Sequence, residues 1–313
     1  MNLLSGKTVL VTGATGFIGS HLLKRLQKVS NVKLIALSRN SIVNEDENIK
    51  WVCSSLDLLT TDFWEKAGVD NIDIVFHLGA FTPKLGADSN LVDKIYRDNL
   101  KGTRSLLDSL PVVPVRIVFA STLDVYSLTG NISINEDSPL GAESLYGASK
   151  LFCEKLVKVY ANMYETNYSI LRYGHIFGPG EEAYRKLIPE MIRKLINNEA
   201  PVLFGKGSAE RDFLYVEDAV EATLRAAISN IREVGPVNIV RGESITISEI
   251  ANMLIGITGF SEKSIYLKDK PNGYSLRFDN RLMHELLGQW SFVPLYEGLI
   301  REVGHFRGIM DEQ

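Results

Sequence analysis

The sequence has little cysteine, no long apolar run and no obvious leader. Its 313 residues include only two cysteines, Cys53 and Cys153, which form neither a disulfide framework nor a metal-ligand spacing. We expect both to pack as small apolar side chains. No apolar run approaches the roughly 20 residues that span a bilayer, and the apolar stretch near the N-terminus leads directly into a glycine-rich turn. We therefore expect a cytoplasmic protein with no membrane span, no cleavable signal peptide and no metal site.

An excess of positive charge is also missing. The formal net charge is −4, from 34 Lys and Arg against 38 Asp and Glu, and no tail carries a single sign of charge. Nucleic acid and anionic membranes are therefore not expected partners. The chain is 45% hydrophobic and 23% charged, which excludes collagen-like and largely disordered classes. Its length allows a large core, either as one α/β unit or as one unit with a smaller lobe.

In its first half, the chain alternates apolar strand-like runs with segments whose apolar residues have helical spacing. The strands are predicted over 7–11, 32–37, 49–52, 72–78, 115–120 and 169–173, and helices over 17–27, 90–110 and 145–164. This order predicts an α/β fold, a doubly wound parallel sheet of Rossmann type with right-handed crossovers. Turn signals become denser after residue 174. We expect residues 1–174, with returning C-terminal segments, to build the main domain, and 175–313 mainly a smaller lobe.

The strongest local signal is the sequence TGATGFIG at 12–19, between the first strand and the first helix. Gly13, Gly16 and Gly19 would permit a tight turn, close approach of a pyrophosphate and packing of the helix on the sheet. The N–H groups of Phe17 and Ile18, at the helix N-terminus, would then face the phosphates. The spacing differs from the commoner G-x-G-x-x-G, and a tight turn without ligand is the alternative. Its place after the first strand favours a dinucleotide.

The end of the second strand bears on which dinucleotide is bound. An acidic residue there, about 20 residues after the glycines, would hold the ribose 2′-hydroxyl of NAD. This chain has Ser38, Arg39 and Asn40 instead, and a guanidinium with a hydroxyl can bind a 2′-phosphate. The sequence therefore favours NADP(H), with NAD(H) still possible and Arg39 as a solvated loop residue as the alternative. Asp57 and Leu58, after the third strand, are placed to meet the adenine ring.

A phenol and an ammonium four residues apart provide a candidate for proton transfer. Tyr146 and Lys150 would share one face of a helix. A nearby ammonium favours the phenolate, so we expect Lys150 to lower the pKa of Tyr146 towards the working pH, and Lys150 could also hold a nicotinamide ribose. About 25 residues upstream, Ser121 and Thr122 end a strand, where open α/β sheets bind ligands. The Tyr-x-x-x-Lys pair alone is a weak signal. The glycine turn, the strand end at Ser121 and Thr122, and this pair, in that order along the chain, are a stronger one.

With these elements in order, the chain resembles the extended short-chain dehydrogenase/reductase superfamily, in particular its NAD(P)-dependent nucleotide-sugar epimerase/dehydratase family. The resemblance covers nearly the whole chain and rests on seven motifs in order. They are TGATGFIGSH at 12–21, HLGA at 77–80, NLKGT at 99–103, STLDVY at 121–126, YGASK at 146–150, LRYGHIFGPG at 171–180 and RDFLYVEDA at 211–219. The chain departs from the pattern at Ser127, where Gly is usual, and at His175, where Asn is usual.

The resemblance implies a role for each matching residue. Tyr146 would be the general acid/base, Lys150 its pKa tuner and a cofactor-ribose ligand, and Thr122 a hydrogen-bond donor to substrate. The resemblance also implies cofactor contacts from Leu78, Ala80 and Tyr173, a water-organising or cofactor-side contact from Asn99, and substrate contacts from Asp124, His175 and Arg211. Arg211 would clamp a diphosphate. Outside these motifs, Arg277 precedes Phe278, Asp279 and Asn280. Arg277 would be a second phosphate ligand, with a surface ion pair as the alternative. His77 is expected to be a hydrogen-bonded core residue.

The family's reactions share hydride transfer at a sugar carbon, usually C4. Its dehydratases carry Asp-Glu after the catalytic Thr, whereas this chain has Leu123 and Asp124, so dehydration is not expected. Arg39 favours an NADPH-dependent 4-ketoreductase acting on a 4-keto-6-deoxy nucleotide sugar. The alternatives are a nucleotide-sugar 4-epimerase with tightly bound NAD and a non-catalytic NAD(P)-binding protein. The resemblance also implies a homodimer, in which helices 90–110 and 145–164 of two copies form a four-helix bundle.

Overall fold

Strands and helices alternate along the chain much as the apolar pattern predicts. A computed structural model describes residues 2–42, 46–83, 91–127, 133–182, 184–271 and 273–311. The strands are β1 Thr8–Thr12, β2 Lys33–Ser38, β3 Ile49–Cys53, β4 Ile74–His77, β5 Arg116–Thr122, β6 Ser133–Ile134, β7 Asn167–Tyr173, β8 His175–Phe177, β9 Val202–Phe204, β10 Glu210–Tyr215, β11 Glu233–Ile239, β12 Ser244–Thr246, β13 Ile265–Leu267 and β14 Arg277–Phe278. The α-helices are α1 Phe17–Leu26, α2 Phe63–Lys66, α3 Val92–Ile95, α4 Gly102–Ser109, α5 Leu145–Met163, α6 Leu187–Ile196, α7 Val216–Ile228, α8 Ile247–Thr258, α9 Arg281–Leu287 and α10 Leu295–Asp311.

The main sheet has seven strands in the order β11-β7-β5-β4-β1-β2-β3, and all its pairs are parallel. The strand order reverses between β1 and β4. In such sheets the ligand crevice lies outside the carboxyl ends of the strands at this point. The doubly wound, Rossmann-like parallel sheet is therefore confirmed.

Both faces of the sheet are covered, which explains why its strands are apolar without alternation. On β1, Val9 and Val11 belong to one buried cluster, which includes α1 and α7 residues. Leu10, between them, belongs to the cluster on the opposite face, together with residues of α2, α4 and α5. Successive side chains of a strand point to opposite faces, so one strand contributes to both cores.

The second half of the chain both rejoins the main sheet and builds smaller ones. β11 pairs with β7 at the sheet edge. A three-stranded sheet has the order β12-β10-β8, and two-stranded pairs join β13 with β9 and β14 with β6. The division into a dinucleotide-binding domain and a substrate-binding lobe stays a prediction. In the described residues, no helix combines the length and apolarity that crossing a bilayer requires.

Two sequence expectations need correction. The single helix predicted over 90–110 is broken: α3 is followed by a π-helical segment, Tyr96–Lys101, and then by α4. A π segment holds an additional residue in its turn, and here it buries the consecutive polar residues Asp98 and Asn99. Residue 90 lies outside the described residues. The second correction concerns Cys53, which is exposed at the end of the edge strand β3, whereas Cys153 is buried as expected.

Candidate active site

The turn between β1 and α1 has room only for glycine at two positions. Gly13 has φ of 68°, and a Cβ there would lie 2.8 Å from the backbone nitrogen of Gly79. A Cβ on Gly19 would lie 2.0 Å from the carbonyl oxygen of Gly13. Gly16 donates its N–H to the same carbonyl at 2.9 Å. The turn therefore brings bare backbone to the carboxyl edge of the sheet, as the sequence predicts.

The start of α1 is suited to an anion. Gly16 is its N-cap and supplies no side-chain hydrogen bond, and the first turn holds no acidic residue. The first intrahelical bond runs from Ser20 N–H to the Gly16 carbonyl at 2.9 Å. The preceding N–H groups, on Phe17, Ile18 and Gly19, thus have no acceptor within the helix. Together with the helix dipole, they fit the pyrophosphate of a dinucleotide.

A second glycine-containing loop closes over the same helix. The Nε2 of His21 and the carbonyl oxygen of Pro179 are 2.7 Å apart. Gly180, with φ of 101°, places its backbone so that a Cβ would lie 3.5 Å from the ring of Phe17. The GPG turn at 178–180 therefore packs on the first turns of α1.

The end of β2 differs from the sequence expectation. Ser38 is buried, and its hydroxyl accepts the N–H of Asn40 at 3.2 Å. The side chain of Arg39 is 71% exposed, but its Nη1 lies 3.7 Å from Oδ2 of Asp98. An acidic side chain is thus present at this strand end, supplied by the π-helical segment. Sequence reasoning missed it because Asp98 follows β2 by sixty residues.

Asp57 and Leu58 lie in a short 3-10 helix, Leu56–Leu58, beyond β3. The Asp57 carboxylate accepts the hydroxyl of Ser55 at 2.5 Å and lies 3.8 Å from the Lys101 ammonium. Leu58 is exposed. Their contact with adenine stays a prediction.

Asn99 joins the segment after β4 to α5. Its Oδ1 accepts the N–H of Phe81 at 2.7 Å, and its Nδ2 donates to the Phe81 carbonyl at 3.1 Å and to the Ser149 hydroxyl at 3.0 Å. Both ends of this buried amide are thus used within the protein. Leu78 and Ala80, on the same segment, are half-buried. Direct cofactor contacts from these residues stay predictions.

His77 is a structural residue, as expected. Its ring nitrogens lie 2.8 Å from the Thr12 hydroxyl and 2.9 Å from the Thr103 hydroxyl. Burial lowers its pKa to about 3, with a smaller contribution from the Lys150 charge. The ring is therefore neutral at ordinary pH and joins β4 to β1 and α4.

The start of α5 packs directly on the end of β5. The hydroxyl of Ser144 caps the helix by accepting the N–H of Gly147 at 3.0 Å. A Cβ on Gly147 would lie 2.2 Å from the Asp124 carbonyl oxygen, so this contact requires glycine. The hydroxyl of Thr122 in turn accepts the N–H of Asp124 at 3.2 Å. Thr122 and Asp124 therefore lie at the carboxyl end of β5 against the first turn of α5, the turn that carries Tyr146.

The direction of the Tyr146 pKa shift is opposite to the sequence expectation. Burial raises its pKa to about 12, with a further contribution from Asp124, while a side-chain hydrogen bond with Thr82 acts in the other direction. The Lys150 ammonium lies 4.3 Å from the ring centroid of Phe119, and burial lowers its pKa to about 8. In the protein alone, desolvation outweighs the attraction that an ammonium exerts on a phenolate.

A buried polar network joins β5, α5 and β7 next to the candidate site. The Arg172 guanidinium binds both carboxylate oxygens of Glu154, at 2.9 Å and 2.8 Å, and the Ser121 hydroxyl donates to the same carboxylate at 2.6 Å. Arg172 also donates to the Tyr126 hydroxyl at 2.9 Å, which donates to Asn238 at 2.7 Å. Sequence reasoning missed Glu154. The arginine inside the apolar β7 was the available signal for a buried acidic partner.

Tyr173 ends β7 and is used within the core. Its hydroxyl lies 2.6 Å from that of Thr223 on α7, and burial raises its pKa far above the usual value. Its cofactor contact stays a prediction.

Three further predicted substrate residues, His175, Arg211 and Arg277, lie on β8, β10 and β14. Burial lowers the pKa of His175 to about 4, aided by the Arg211 charge, and its Nδ1 has no hydrogen-bond partner among the described residues. Arg211 donates to the Tyr274 carbonyl at 2.6 Å and lies 5.4 Å from the Tyr274 ring. Arg277 forms an ion pair with Glu210, the alternative that the sequence left open.

Comparison with known proteins agrees with this geometry. The sequence model of the NAD-dependent epimerase/dehydratase family matches residues 9–239. A putative UDP-glucose 4-epimerase of Methanocaldococcus jannaschii is 30% identical over 305 residues, 94% of this chain and 97% of that protein. A dTDP-4-dehydro-6-deoxy-D-allose reductase of a Streptomyces species is 27% identical over 316 residues, 94% of each chain. The crystal structure of UDP-glucuronic acid 4-epimerase from Bacillus cereus, in complex with UDP-glucuronic acid and NAD, superposes with a TM-score of 0.83 at 25% identity, over 96% of this chain and 99% of that one.

Proposed function

Since this chain belongs to the NAD-dependent epimerase/dehydratase family, and is thus a nucleotide-sugar enzyme of the extended short-chain dehydrogenase/reductase type, we propose that it inverts C4 of a nucleoside-diphosphate sugar. The observation that carries the proposal is that Thr122 ends β5, that α5, which bears Tyr146 and Lys150, packs on β5, and that β5 lies two strands from β1, which leads into the glycine turn. A proton-transfer group and a dinucleotide cradle at one sheet edge are what oxidation of an alcohol requires.

The residues present fit a nicotinamide dinucleotide. Gly13 and Gly19 leave space that a Cβ would fill, and the first turn of α1 offers N–H groups to a pyrophosphate. Lys150 and Tyr146 would face the nicotinamide ribose, as the family motif implies. When bound in its oxidised form, the nicotinamide supplies a hydride acceptor and a positive charge.

Tyr146 carries the proton steps. A positive charge near the phenol lowers a pKa that burial holds at about 12, so Tyr146 can take the proton from the C4 hydroxyl of the sugar. The hydroxyl of Thr122 donates a hydrogen bond to the same oxygen and holds it in place. A bound oxidised nicotinamide would supply the acceptor for the C4 hydride and later its donor, so that the sugar would pass through a 4-ketone. Tyr146 would hold the proton meanwhile and would return it to the C4 oxygen after the ketone has presented its other face.

Lys150 supplies the positive charge that assists proton transfer by Tyr146. Its side chain is buried, and its pKa of about 8 leaves it largely protonated at neutral pH. A cation beneath the ribose favours the phenolate form of Tyr146 once the site is filled. Loss of water from the sugar needs a further acid at position 123, where this chain has the buried Leu123.

Arg211 is the candidate for the diphosphate of the substrate. Its guanidinium is half-buried, with the Tyr274 carbonyl as one anchor, and it retains further N–H donors. His175 faces it from the neighbouring strand, and burial keeps its imidazole neutral. Similar proteins whose structures contain UDP-glucuronic acid or UDP-glucose support a nucleoside-diphosphate sugar as the ligand.

A second candidate is net reduction of a 4-keto-6-deoxy nucleotide sugar with NADPH. The exposed Arg39 guanidinium favours it, and so does the similarity to a dTDP-4-dehydro-6-deoxy-D-allose reductase. The ion pair between Arg39 and Asp98 weakens this reading, because it occupies the charge that would bind a 2′-phosphate.

We further propose that two copies associate through α5 and the segments beside it. One face of α5 exposes Phe152, Val159 and Met163, and the neighbouring segment exposes Val92 and Tyr96. Large apolar side chains exposed on adjoining elements are typical of a protein contact. Because α3 and the π-helical segment lie beside α5, a second copy related by a two-fold axis would bury both at once.

One pair of assays tests the proposed reaction. The purified protein is incubated with UDP-glucose and with UDP-glucuronic acid in the presence of NAD⁺, and separately with a dTDP-4-keto-6-deoxy sugar and NADPH. Conversion of a UDP-sugar to its C4 epimer without net consumption of cofactor supports the proposal. Stoichiometric loss of NADPH, seen only with the keto sugar, would replace it with the reductase.

A further inference from the structure

The structure brings a carboxylate to the end of β2 from another part of the chain. Asp98 belongs to the π-helical segment, and its side chain is only 9% exposed. Its Oδ2 lies 3.7 Å from Nη1 of Arg39, the residue directly after β2. This is the strand end at which an acid distinguishes NAD from NADP in dinucleotide-binding folds.

One oxygen of this carboxylate lacks a donor. Oδ1 accepts Nε of Arg97 at 2.6 Å, whereas Oδ2 is buried without a hydrogen-bond partner among the described residues. At 3.7 Å, Arg39 contributes charge attraction but is beyond hydrogen-bond length. A buried carboxylate oxygen without a donor is destabilising, and nearly all such groups in proteins are satisfied. Within the described residues this oxygen can therefore still accept a hydrogen bond from a bound group.

The position of Asp98 relative to the glycine turn follows from Leu56. A Cβ on Gly102, one residue beyond the π-helical segment, would lie 2.9 Å from Cβ of Leu56. A Cβ on Gly79 would lie 3.0 Å from Cδ1 of Leu56, and Gly79 is the close neighbour of Gly13. The π-helical segment, the 3-10 helix and the glycine turn are thus in contact, and Asp98 lies on the side of this group next to β2.

We propose that Asp98 selects the cofactor: its Oδ2 accepts the 2′-hydroxyl of the adenosine ribose and repels a 2′-phosphate, so that the chain prefers NAD(H) to NADP(H). The inference rests on the proposed nicotinamide dinucleotide site. It departs from the sequence expectation, in which Arg39 at the end of β2 favours NADP(H). Arg39 and Arg97 both lie against Asp98, so part of their charge is neutralised before a ligand arrives.

The test is calorimetric titration of the purified protein with NAD⁺ and with NADP⁺. It compares the wild type with Asp98→Ala and Asp98→Asn. The second variant keeps the side-chain size, which guards against loss of folding. The matched control is Asp108→Asn on α4, which removes an exposed aspartate paired with Arg104 at 3.2 Å. Thermal melting of each variant checks that it is folded.

The wild type is expected to bind NAD⁺ at least about tenfold more tightly than NADP⁺, or about 1.4 kcal/mol. Asp98→Ala should weaken NAD⁺ about tenfold and strengthen NADP⁺, because a hydroxyl loses its acceptor while two guanidiniums are released. Asp98→Asn should strengthen NADP⁺ with a smaller loss for NAD⁺, since its amide oxygen can still accept. Adding Arg39→Ala to Asp98→Ala should remove the gain for NADP⁺. Asp108→Asn should leave the ratio of the two affinities unchanged.

A wild type that prefers NADP⁺ overturns the inference, and so does a folded Asp98→Ala whose affinity ratio matches that of Asp108→Asn. The latter result would mean that water satisfies Oδ2. These outcomes are independent of the proposed reaction. A protein that prefers NAD⁺ but epimerises no sugar would contradict the proposed function alone. An epimerase whose preference between NAD⁺ and NADP⁺ is unchanged by replacing Asp98 would contradict this inference alone.

Discussion

Neutralising Glu154 should destabilise the protein more than any single change at its surface. Glu154 and Arg172 are both almost completely buried and joined by two hydrogen bonds, at 2.8 Å and 2.9 Å. Glu154→Gln keeps the shape but leaves the guanidinium buried without its counter-charge. Removing one partner of a buried ion pair costs about 3–5 kcal/mol, a large part of the total stability of 5–15 kcal/mol that proteins usually have.

Urea unfolding followed by circular dichroism measures this loss. The control is Glu190→Gln, which removes a half-exposed partner of Arg193 and should cost at most about 1 kcal/mol. A double replacement of Glu154 and Arg172 by leucine and methionine should recover much of the stability, because no buried charge then remains. If Glu154→Gln lowers the free energy of unfolding by no more than Glu190→Gln does, the buried network does not stabilise the protein as the geometry indicates.

Three other predictions concern the turn, a buried acid pair and the apolar face. Gly19→Ala should abolish measurable dinucleotide binding in a titration, because its Cβ would lie 2.0 Å from the Gly13 carbonyl, whereas Gly256→Ala, with open space on α8, should leave binding intact. Burial and the nearby Glu181 raise the pKa of Glu302 well above its usual value, so the folded state holds more protons than the unfolded one and loses stability as the pH rises above about 4.5. Glu302→Gln should therefore flatten the fall in melting temperature between pH 5 and 8, and an unchanged slope would contradict the assignment. Phe152→Glu should convert a dimer to a monomer in light scattering, and a monomeric wild type would remove the proposed interface.

The sequence predicts the parts of this molecule that depend on local order. The apolar runs and the glycine spacing predict the parallel sheet and the turn between β1 and α1, because strand, turn and helix follow one another directly in the chain. Strand bounds differ from the predicted ones by one or two residues in most cases, as expected at frayed ends.

The sequence does not reveal what tertiary packing brings together. Asp98 meets the end of β2 across sixty residues, and the π-helical turn that buries it has no signature in the apolar pattern. The pKa of Tyr146 shifts in the opposite direction to the expectation, because spacing reveals the neighbouring Lys150 but not the depth of burial. Glu154 likewise lies on a helix whose buried polar face becomes evident only against Arg172.

The most direct test of the central claim is the rate of C4 inversion by Tyr146→Phe, measured by proton NMR of the UDP-sugar product. The account predicts that the wild type forms the epimer, and that the variant is slower by about 10²–10⁴-fold, the usual contribution of a general acid/base. Its affinity for NAD⁺ should change by less than about threefold, since the phenol ring is retained. Inversion at the wild-type rate by the folded variant would contradict the assignment of the proton steps to Tyr146.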